Sequence, residues 1–198
     1  MNHSHYGVVL GRFQPLHIGH VEYLEAARNE CDRLVIGITN PDIGSIRFNA
    51  ADPNRSKSES NPFSYFERHE MIHAALRDFG WEPSAFAIVP ADVADLSRVG
   101  VFLPDPAQTT VFITIYDAWG EEKAHRMSDL GYRVHILWRR EMASRVTSGT
   151  ALRTLMRRNE AWRHLVPPAI ATYVDKAGFA ERPGMNPTPA AAPEVSHD

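Results

Sequence analysis

Cysteine is nearly absent: the 198 residues contain one, Cys31. A single thiol excludes an intrachain disulfide framework and a cysteine-built zinc site, and it suits a reducing compartment, so a cytoplasmic location is expected. Long apolar runs are missing as well. None approaches the roughly 18–20 residues a membrane helix needs, and the polar start, Met1 to His5, has no signal-peptide core behind it. Nor is there an excess of basic charge. Lys and Arg total 21 against 24 Asp and Glu, a formal net charge of −3, which removes the broad electrostatic footprint of a nucleic-acid binder. Ten histidines are present, but their spacings are read as no ligand set, so no metal held by protein side chains is expected. What remains is 43% hydrophobic and 23% charged, a globular balance that fills one packed domain with a short appendage. That domain is expected over residues 1–182, with helices from about 148 as its C-terminal extension. The Pro- and Ala-rich stretch 183–198 is expected to be a disordered tail.

Along the chain, apolar runs alternate with helical patterns. Tyr6 to Leu10 reads as a strand, Ile18 to about Glu30 as a helix, and Arg33 to Thr39 as a second strand rich in β-branched residues. Asn40 to Pro62 shifts to Asn, Ser, Asp and Pro with Arg47, Arg55 and Lys57 interspersed, which reads as a long functional loop that closes over its substrates. A helix over Phe63 to Phe79 follows, with Ser64 as N-cap and Glu67 three residues on. Phe86 to Val89 and Val111 to Ile115 read as buried strands, with a third helix between Pro90 and Thr110 as the weakest element. Trp119 to Leu130 suits a helix, Tyr132 to Leu137 a fifth strand, and Ser148 to Arg158 and Pro167 to Lys176 two closing helices. This alternation predicts an α/β fold: a doubly wound, five-stranded parallel sheet with helices on both faces. Ligands of such sheets sit outside the strand C-termini.

Two segments carry candidate chemistry. Gly11-Arg12-Phe13-Gln14-Pro15-Leu16-His17-Ile18-Gly19-His20 follows the first strand, where such a fold places ligands. The i,i+3 spacing puts His17 and His20 on one side of a helical first turn, beside free backbone N–H groups and the positive helix end, with Gly19 leaving room for a ligand. A lone histidine there would be a cap or packing residue; two of them with Arg12, Pro15 and Gly19 make a phosphate cradle. In Ser148-Gly149-Thr150-Ala151-Leu152-Arg153, a hydroxyl caps a helix and can bind an anion, while Arg153, one turn on, adds a bidentate cation. Alone, that is an ordinary capped helix.

The first segment resembles the His-x-Gly-His signature of the nucleotidyltransferase superfamily, in the form found in archaeal-type nicotinamide-mononucleotide adenylyltransferases. The second is similar to the family's Ser-Gly-Thr-x-x-Arg element, which binds the leaving phosphates of the triphosphate. Asn61-Pro62-Phe63-Ser64-Tyr65-Phe66-Glu67-Arg68 resembles its Pro-Phe then Glu-Arg stretch. The similarity covers roughly Tyr6 to Gly178 and implies a Rossmann-like domain that transfers AMP from ATP to a mononucleotide phosphate with release of pyrophosphate, most simply nicotinamide mononucleotide to NAD. It implies His17, His20, Arg12 and Arg153 as catalytic groups, with Gly11, Phe13, Gln14, Gly19, Asp117, Ser148, Gly149 and Thr150 as further nucleotide contacts. Asn40, Arg47, Arg55 and Arg68 would face the acceptor, the family's phosphate-reaching arginine staying open among Arg47, Arg55 and Lys57. Mg2+ would be bound through substrate phosphates. The implied partners are ATP or CTP and a small phosphorylated acceptor, with neither nucleic acid nor membrane, and homo-oligomers are compatible with the family.

The chain departs from that pattern twice. Ile115-Tyr116-Asp117-Ala118-Trp119 stands where the family has a Gly-Asn-Pro-like turn, with Asp117 able to accept from a ribose hydroxyl or an amino group. The stretch Asp92 to Leu103 lacks the tryptophan that stacks on nicotinamide; Phe102, Trp81 and Trp119 are the substitutes, each also readable as packing. These departures keep open a related cytidylyltransferase, or an adenylyltransferase with a non-nicotinamide phosphate or phosphonate acceptor. A nucleotide-sensing module without turnover is the reading from another class.

Overall fold

The computed structural model describes residues 3–42, 58–91, 98–179 and 182. Arg47, Arg55, Lys57 and the tail 183–198 lie outside the described residues, as does most of the loop expected over Asn40 to Pro62.

Five parallel strands, β1 (Ser4–Gly11), β2 (Cys31–Thr39), β3 (Phe86–Ala91), β4 (Thr109–Ile115) and β5 (Arg133–Arg139), form one sheet in the order β3-β2-β1-β4-β5. The two directions of winding meet at β1, so the C-terminal ends of β1 and β4 bound the switch in strand order where such sheets bind ligands. Six α-helices are described: α1 (Ile18–Arg28), α2 (Tyr65–Asp78), α3 (Val99–Phe102), α4 (Ala118–Asp129), α5 (Gly149–Arg157) and α6 (Pro168–Lys176).

Each sheet face buries its own apolar layer. Val9, Leu34, Ile36, Ile38 and Phe112 pack with α1, α2, α5 and α6 through Leu24, Met71, Ile72, Leu152 and Ile170. Val8, Leu10, Val35, Val111, Ile113 and Ile115 pack on the other side with Val99 of α3 and Met127 of α4. Alternate residues of β1 thus serve opposite cores, which is why a central strand reads as a continuous apolar run.

The expected doubly wound sheet is what the chain forms, with shifted boundaries. β3 runs on through Pro90 to Ala91; it is an edge strand, where a residue without an N–H is tolerated. The expected third helix is a single described turn, α3, followed by Leu103-Pro104, and residues 92–97 are outside the description. Ser64 caps α2 and forms the expected reciprocal box with Glu67.

Candidate active site

His17 is the N-cap of α1 in an extended conformation and His20 is its third residue. The two side chains form a capping box made of imidazoles. His20 N–H donates to His17 Nδ1 and His17 N–H donates to His20 Nδ1, each over 3.3 Å. The rings stack with centroids 3.6 Å apart and 19° between planes, and the Phe13 ring meets His20 edge-on at 4.9 Å.

This geometry assigns the tautomers. A nitrogen accepting a backbone N–H carries no proton, so a neutral ring must carry its proton on Nε2. Both rings are neutral near pH 7. Burial, then the charges of Arg145 and Arg153, lowers the His17 pKa to about 4. Burial, then the neighbouring His17 and the cations Arg12, Arg145 and Lys123, holds His20 well below its ordinary value. Two charged rings at 3.6 Å would repel by about 4–5 kcal/mol at an effective dielectric near 20. The pair is therefore two parallel, uncharged Nε2–H donors.

They line a cavity of about 610 Å3 at the C-terminal ends of β1 and β4. That volume suits one nucleotide-sized ligand. Gly11, Arg12 and Gly19 line it from the first motif, Ser148, Gly149 and Thr150 from the second, and Asp117 from the end of β4. Ser148 Oγ caps α5 by accepting from Ala151 N–H at 3.1 Å, which leaves the first N–H groups of that helix at the cavity wall. Arg153 is almost wholly buried. Its Nη1 donates to the Gln14 carbonyl at 2.8 Å and its Nη2 to Thr150 Oγ1 at 3.2 Å. Burial, then the charge of Arg12, lowers its pKa to about 10, so it stays cationic. A Cβ on Gly149 would lie 3.0 Å from Arg153 Nη1 and 3.3 Å from the Gln14 oxygen, so a larger residue would push these groups of the two motifs apart by a few tenths of an ångström.

The two motifs thus converge, but five residues expected to contact ligands, Phe13, Gln14, Asn40, Arg68 and the buried Arg153, are not among those that line the cavity. Phe13, at φ +50, turns its ring inward beneath Gly11, whose Cβ would clash with it at 2.7 Å; the ring backs His20 and is 1% exposed. Gln14 is a clamp: Nε2 donates to the Phe63 carbonyl at 2.8 Å and Oε1 accepts from Phe63 N–H at 3.0 Å. Arg68 has no exposed surface and directs its donors to four backbone carbonyls, those of Ser64, Arg12, Thr39 and Asn40. It binds the fold and does not reach a ligand, because its position on α2 faces the sheet rather than the opening. Asn40 sits at the end of β2 in a left-handed conformation, φ +52, and is nine-tenths buried.

Residues that sequence reasoning missed complete the cavity. Arg145 lies over the Tyr116 ring at 4.2 Å and approaches Asp117 Oδ2 at 3.8 Å, while Asp117 Oδ1 caps α4 through Gly120 N–H at 3.0 Å. Trp138 donates from Nε1 to the Tyr116 hydroxyl at 3.0 Å, and Arg140 covers its ring at 4.3 Å. Lys123 and Glu22 also line the wall. The one signal for Arg145 was its place three residues before the capping Ser148. Of the three aromatic substitutes, Trp119 lines this cavity, whereas Trp81 lines a groove by the first residues of β2, at the opposite end of the sheet.

Among the described residues, no group of three or more His, Cys, Asp or Glu side chains could hold a metal ion, and no helix is long and apolar enough to cross a membrane.

Residues 8–155 match the family model described as cytidylyltransferase-like. The chain is 41% identical over 176 residues to the phosphonoformate cytidylyltransferase of Streptomyces viridochromogenes, covering 89% of this chain and 94% of that one. It is 32% identical over 179 residues to the nicotinamide-nucleotide adenylyltransferase of Methanothrix thermoacetophila, covering 89% and 92%. In fold it resembles a bifunctional NMN adenylyltransferase/ADP ribose pyrophosphatase from Francisella tularensis, with TM-score 0.64 and 16% identity over 92% of this chain. The chain spans about half of that structure, 51%. A second structure of the Francisella protein is complexed with AMP and a manganese ion.

Proposed function

The chain belongs to the cytidylyltransferase-like family of nucleotidyltransferases, and on that premise we propose that it transfers CMP from CTP to a small phosphonate or phosphate acceptor, releasing pyrophosphate. The observation that carries the chemistry is the stacked His17–His20 pair, with both Nδ1 atoms occupied by backbone N–H groups. Its remaining donors, two Nε2–H groups, suit the oxygens of a phosphorus centre on which charge develops. An acceptor oxyanion forms a bond to the α-phosphorus as the bond from phosphorus to the bridging oxygen breaks, and that electron pair leaves with pyrophosphate. No protein nucleophile or proton transfer is required, so catalysis is alignment and charge stabilisation. Arg12 at the cavity wall neutralises the triphosphate, Arg153 adds its charge from behind Thr150, and the N-terminus of α5 receives the leaving phosphates. Arg145 and Lys123 add positive charge to the same wall.

The donor set accommodates a divalent ion carried by the substrate rather than by the protein. Of the cavity carboxylates, Glu22 is bonded to Arg140 and Asp117 caps α4. Mg2+ on the phosphates supplies charge neutralisation when bound.

CTP is favoured by the 41% identity to a cytidylyltransferase across nearly the whole of both chains. A phosphonate or other non-nicotinamide acceptor is favoured by the lack of tryptophan in residues 92–103. The second reading, AMP transfer to nicotinamide mononucleotide, is supported by relatives at 32% and 33% identity and fits slightly less well. We further infer a catalytic unit spanning 1–182 and a cytoplasmic setting, in keeping with the unpaired, buried Cys31. Self-association is testable by sedimentation.

Pyrophosphate release over CTP, ATP, GTP and UTP, crossed with phosphonoformate and nicotinamide mononucleotide in the presence of Mg2+, tests this reading. CTP with the phosphonate should be the fastest pair. Product only from ATP with the mononucleotide would establish the second reading. Tight nucleotide binding with no pyrophosphate from any pair would make the chain a sensor.

A further inference from the structure

α2 corrects the expectation that no histidine spacing here suits a metal. His69-Glu70-Met71-Ile72-His73 is a His-Glu-x-x-His run inside its 14 residues, a pattern that sequence reasoning passed over. On a helix, residues four apart stand one above the other on one face, so two imidazoles at that spacing can reach one ion. Met71 and Ile72 are buried in the core, which leaves His69 and His73 half-exposed along its margin.

The side chains are already aligned. Their rings lie parallel, with 6° between planes and centroids 6.3 Å apart. Tyr65, one turn earlier, tilts against His69 at 6.3 Å, and Phe86 of β3 meets His73 at 6.0 Å, so aromatic rings bracket the pair. An ion bonded to one nitrogen of each ring at about 2.1 Å would set the centroids about 5–6 Å apart, which a small side-chain rotation supplies.

Glu70 adds an independent observation. Its Oε1 stands 3.4 Å from His69 Nδ1. A carboxylate there accepts the Nδ1 proton, fixes the tautomer and leaves the Nε2 lone pair free, the arrangement common to metal-bound histidines. The same contact occupies Glu70, and among the described residues no group of three or more His, Cys, Asp or Glu makes a ligand set. Two protein nitrogens with water in the remaining positions suit an exchangeable ion, not a hydrolytic centre, which takes three protein ligands. His17 and His20 offer no such chelate, because their Nδ1 atoms accept backbone N–H groups and their Nε2 atoms carry the protons.

We propose that His69 and His73 chelate one divalent late transition-metal ion through their Nε2 atoms, with Glu70 orienting His69. Cu2+ binds most tightly and Zn2+ more weakly, as two imidazoles dictate. The ion ties two successive turns of α2 together and stabilises the native chain by mass action. Neither histidine lines the catalytic cavity, so the ion takes no part in the transfer, and the proposal stands apart from the transferase reading.

The test uses the full chain carrying His3→Ala and His5→Ala, which removes the two exposed histidines paired with Asp32. Calorimetric titration with CuCl2 near neutral pH should give one ion per chain with a Kd below about 100 µM, and ZnCl2 a weaker one. His69→Gln and His73→Gln, added singly, keep a good helix former, so metal-free melting temperatures should match the starting chain. Each should bind Cu2+ at least about tenfold more weakly, and electron paramagnetic resonance should count two imidazole nitrogens on copper in the starting chain and one in either variant. Glu70→Ala should weaken binding by about threefold to tenfold, and an unchanged affinity would remove Glu70 from the site. Copper should raise the melting temperature of the starting chain by a few degrees and leave that of the doubly substituted chain, His69→Gln with His73→Gln, where it was. Affinity within twofold of the starting chain in both histidine variants overturns the proposal, as does a starting chain that binds no Cu2+ up to about 1 mM. Pyrophosphate release should be the same in all these chains, so a failed metal site leaves the transferase reading intact, and a chain without turnover leaves the metal site to be judged by its own titration.

Discussion

Neutral imidazoles inside a folded chain make stability depend on pH in a defined direction, and His17→Asn isolates that dependence. The pKa of His17 stands at about 4 in the fold, against about 6.5 in the unfolded chain. Between those values the unfolded state binds a proton that the native state refuses, so stability falls as the pH is lowered from about 6.5 to about 4 and is unaffected by this group outside that window. At about 1.4 kcal/mol per pH unit, the loss across the window is about 3 kcal/mol. Asparagine is a good N-cap and can still accept from His20 N–H, but it does not titrate. The assay is urea unfolding of parent and variant at half-unit intervals from pH 8 to 4.5. Carboxylates and the histidines outside the pair contribute to both chains and cancel in the difference; His20, whose pKa His17 helps to lower, is less strongly shifted in the variant and adds to the difference in the same direction. The variant should be less stable than the parent at pH 8 and should close most of that gap, or overtake the parent, by pH 4.5. Curves that fall in parallel through the window would refute the assignment of a buried, neutral His17.

Gly149→Ala places a Cβ 3.0 Å from Arg153 Nη1 and 3.3 Å from the Gln14 oxygen. It should weaken triphosphate binding roughly tenfold by calorimetry, at about 1.4 kcal/mol per decade, while the melting temperature changes little. Arg145→Gln removes the second-largest cause, after burial, of the lowered His17 pKa. Histidine NMR titration should show that pKa rising yet staying below 6.5, and an unchanged value would mean that Arg145 does not act on the pair.

How far the sequence disclosed this molecule depends on the kind of force involved. Strand and helix order was legible because burial on two faces leaves apolar runs and capped amphipathic segments: β2 and the Ser64–Glu67 box are where the pattern predicts them. The two motifs that meet at the cavity were legible because the residues of each are close in sequence. The roles of Phe13, Gln14 and Arg68 were not, since each is decided by partners 28 or more residues away or by a backbone angle. Gln14 meets Phe63, and Arg68 meets the carbonyls of Arg12, Thr39 and Asn40. Composition cannot distinguish an arginine that binds phosphate from one that binds carbonyls. Arg145 was missed for a related reason: it belongs to an irregular loop, where no periodicity reports which way a side chain faces.

The claim on which the account turns is that the two imidazoles act on the transferring phosphorus and not on the bound nucleotide at large. His20→Ala tests it most directly, with single-turnover rates measured beside nucleotide dissociation constants. Loss of an oxyanion donor should slow the chemical step by about 10²–10³ and leave the triphosphate dissociation constant within a fewfold of the parent. A variant that binds nucleotide as weakly as it reacts slowly, in equal proportion, would contradict it.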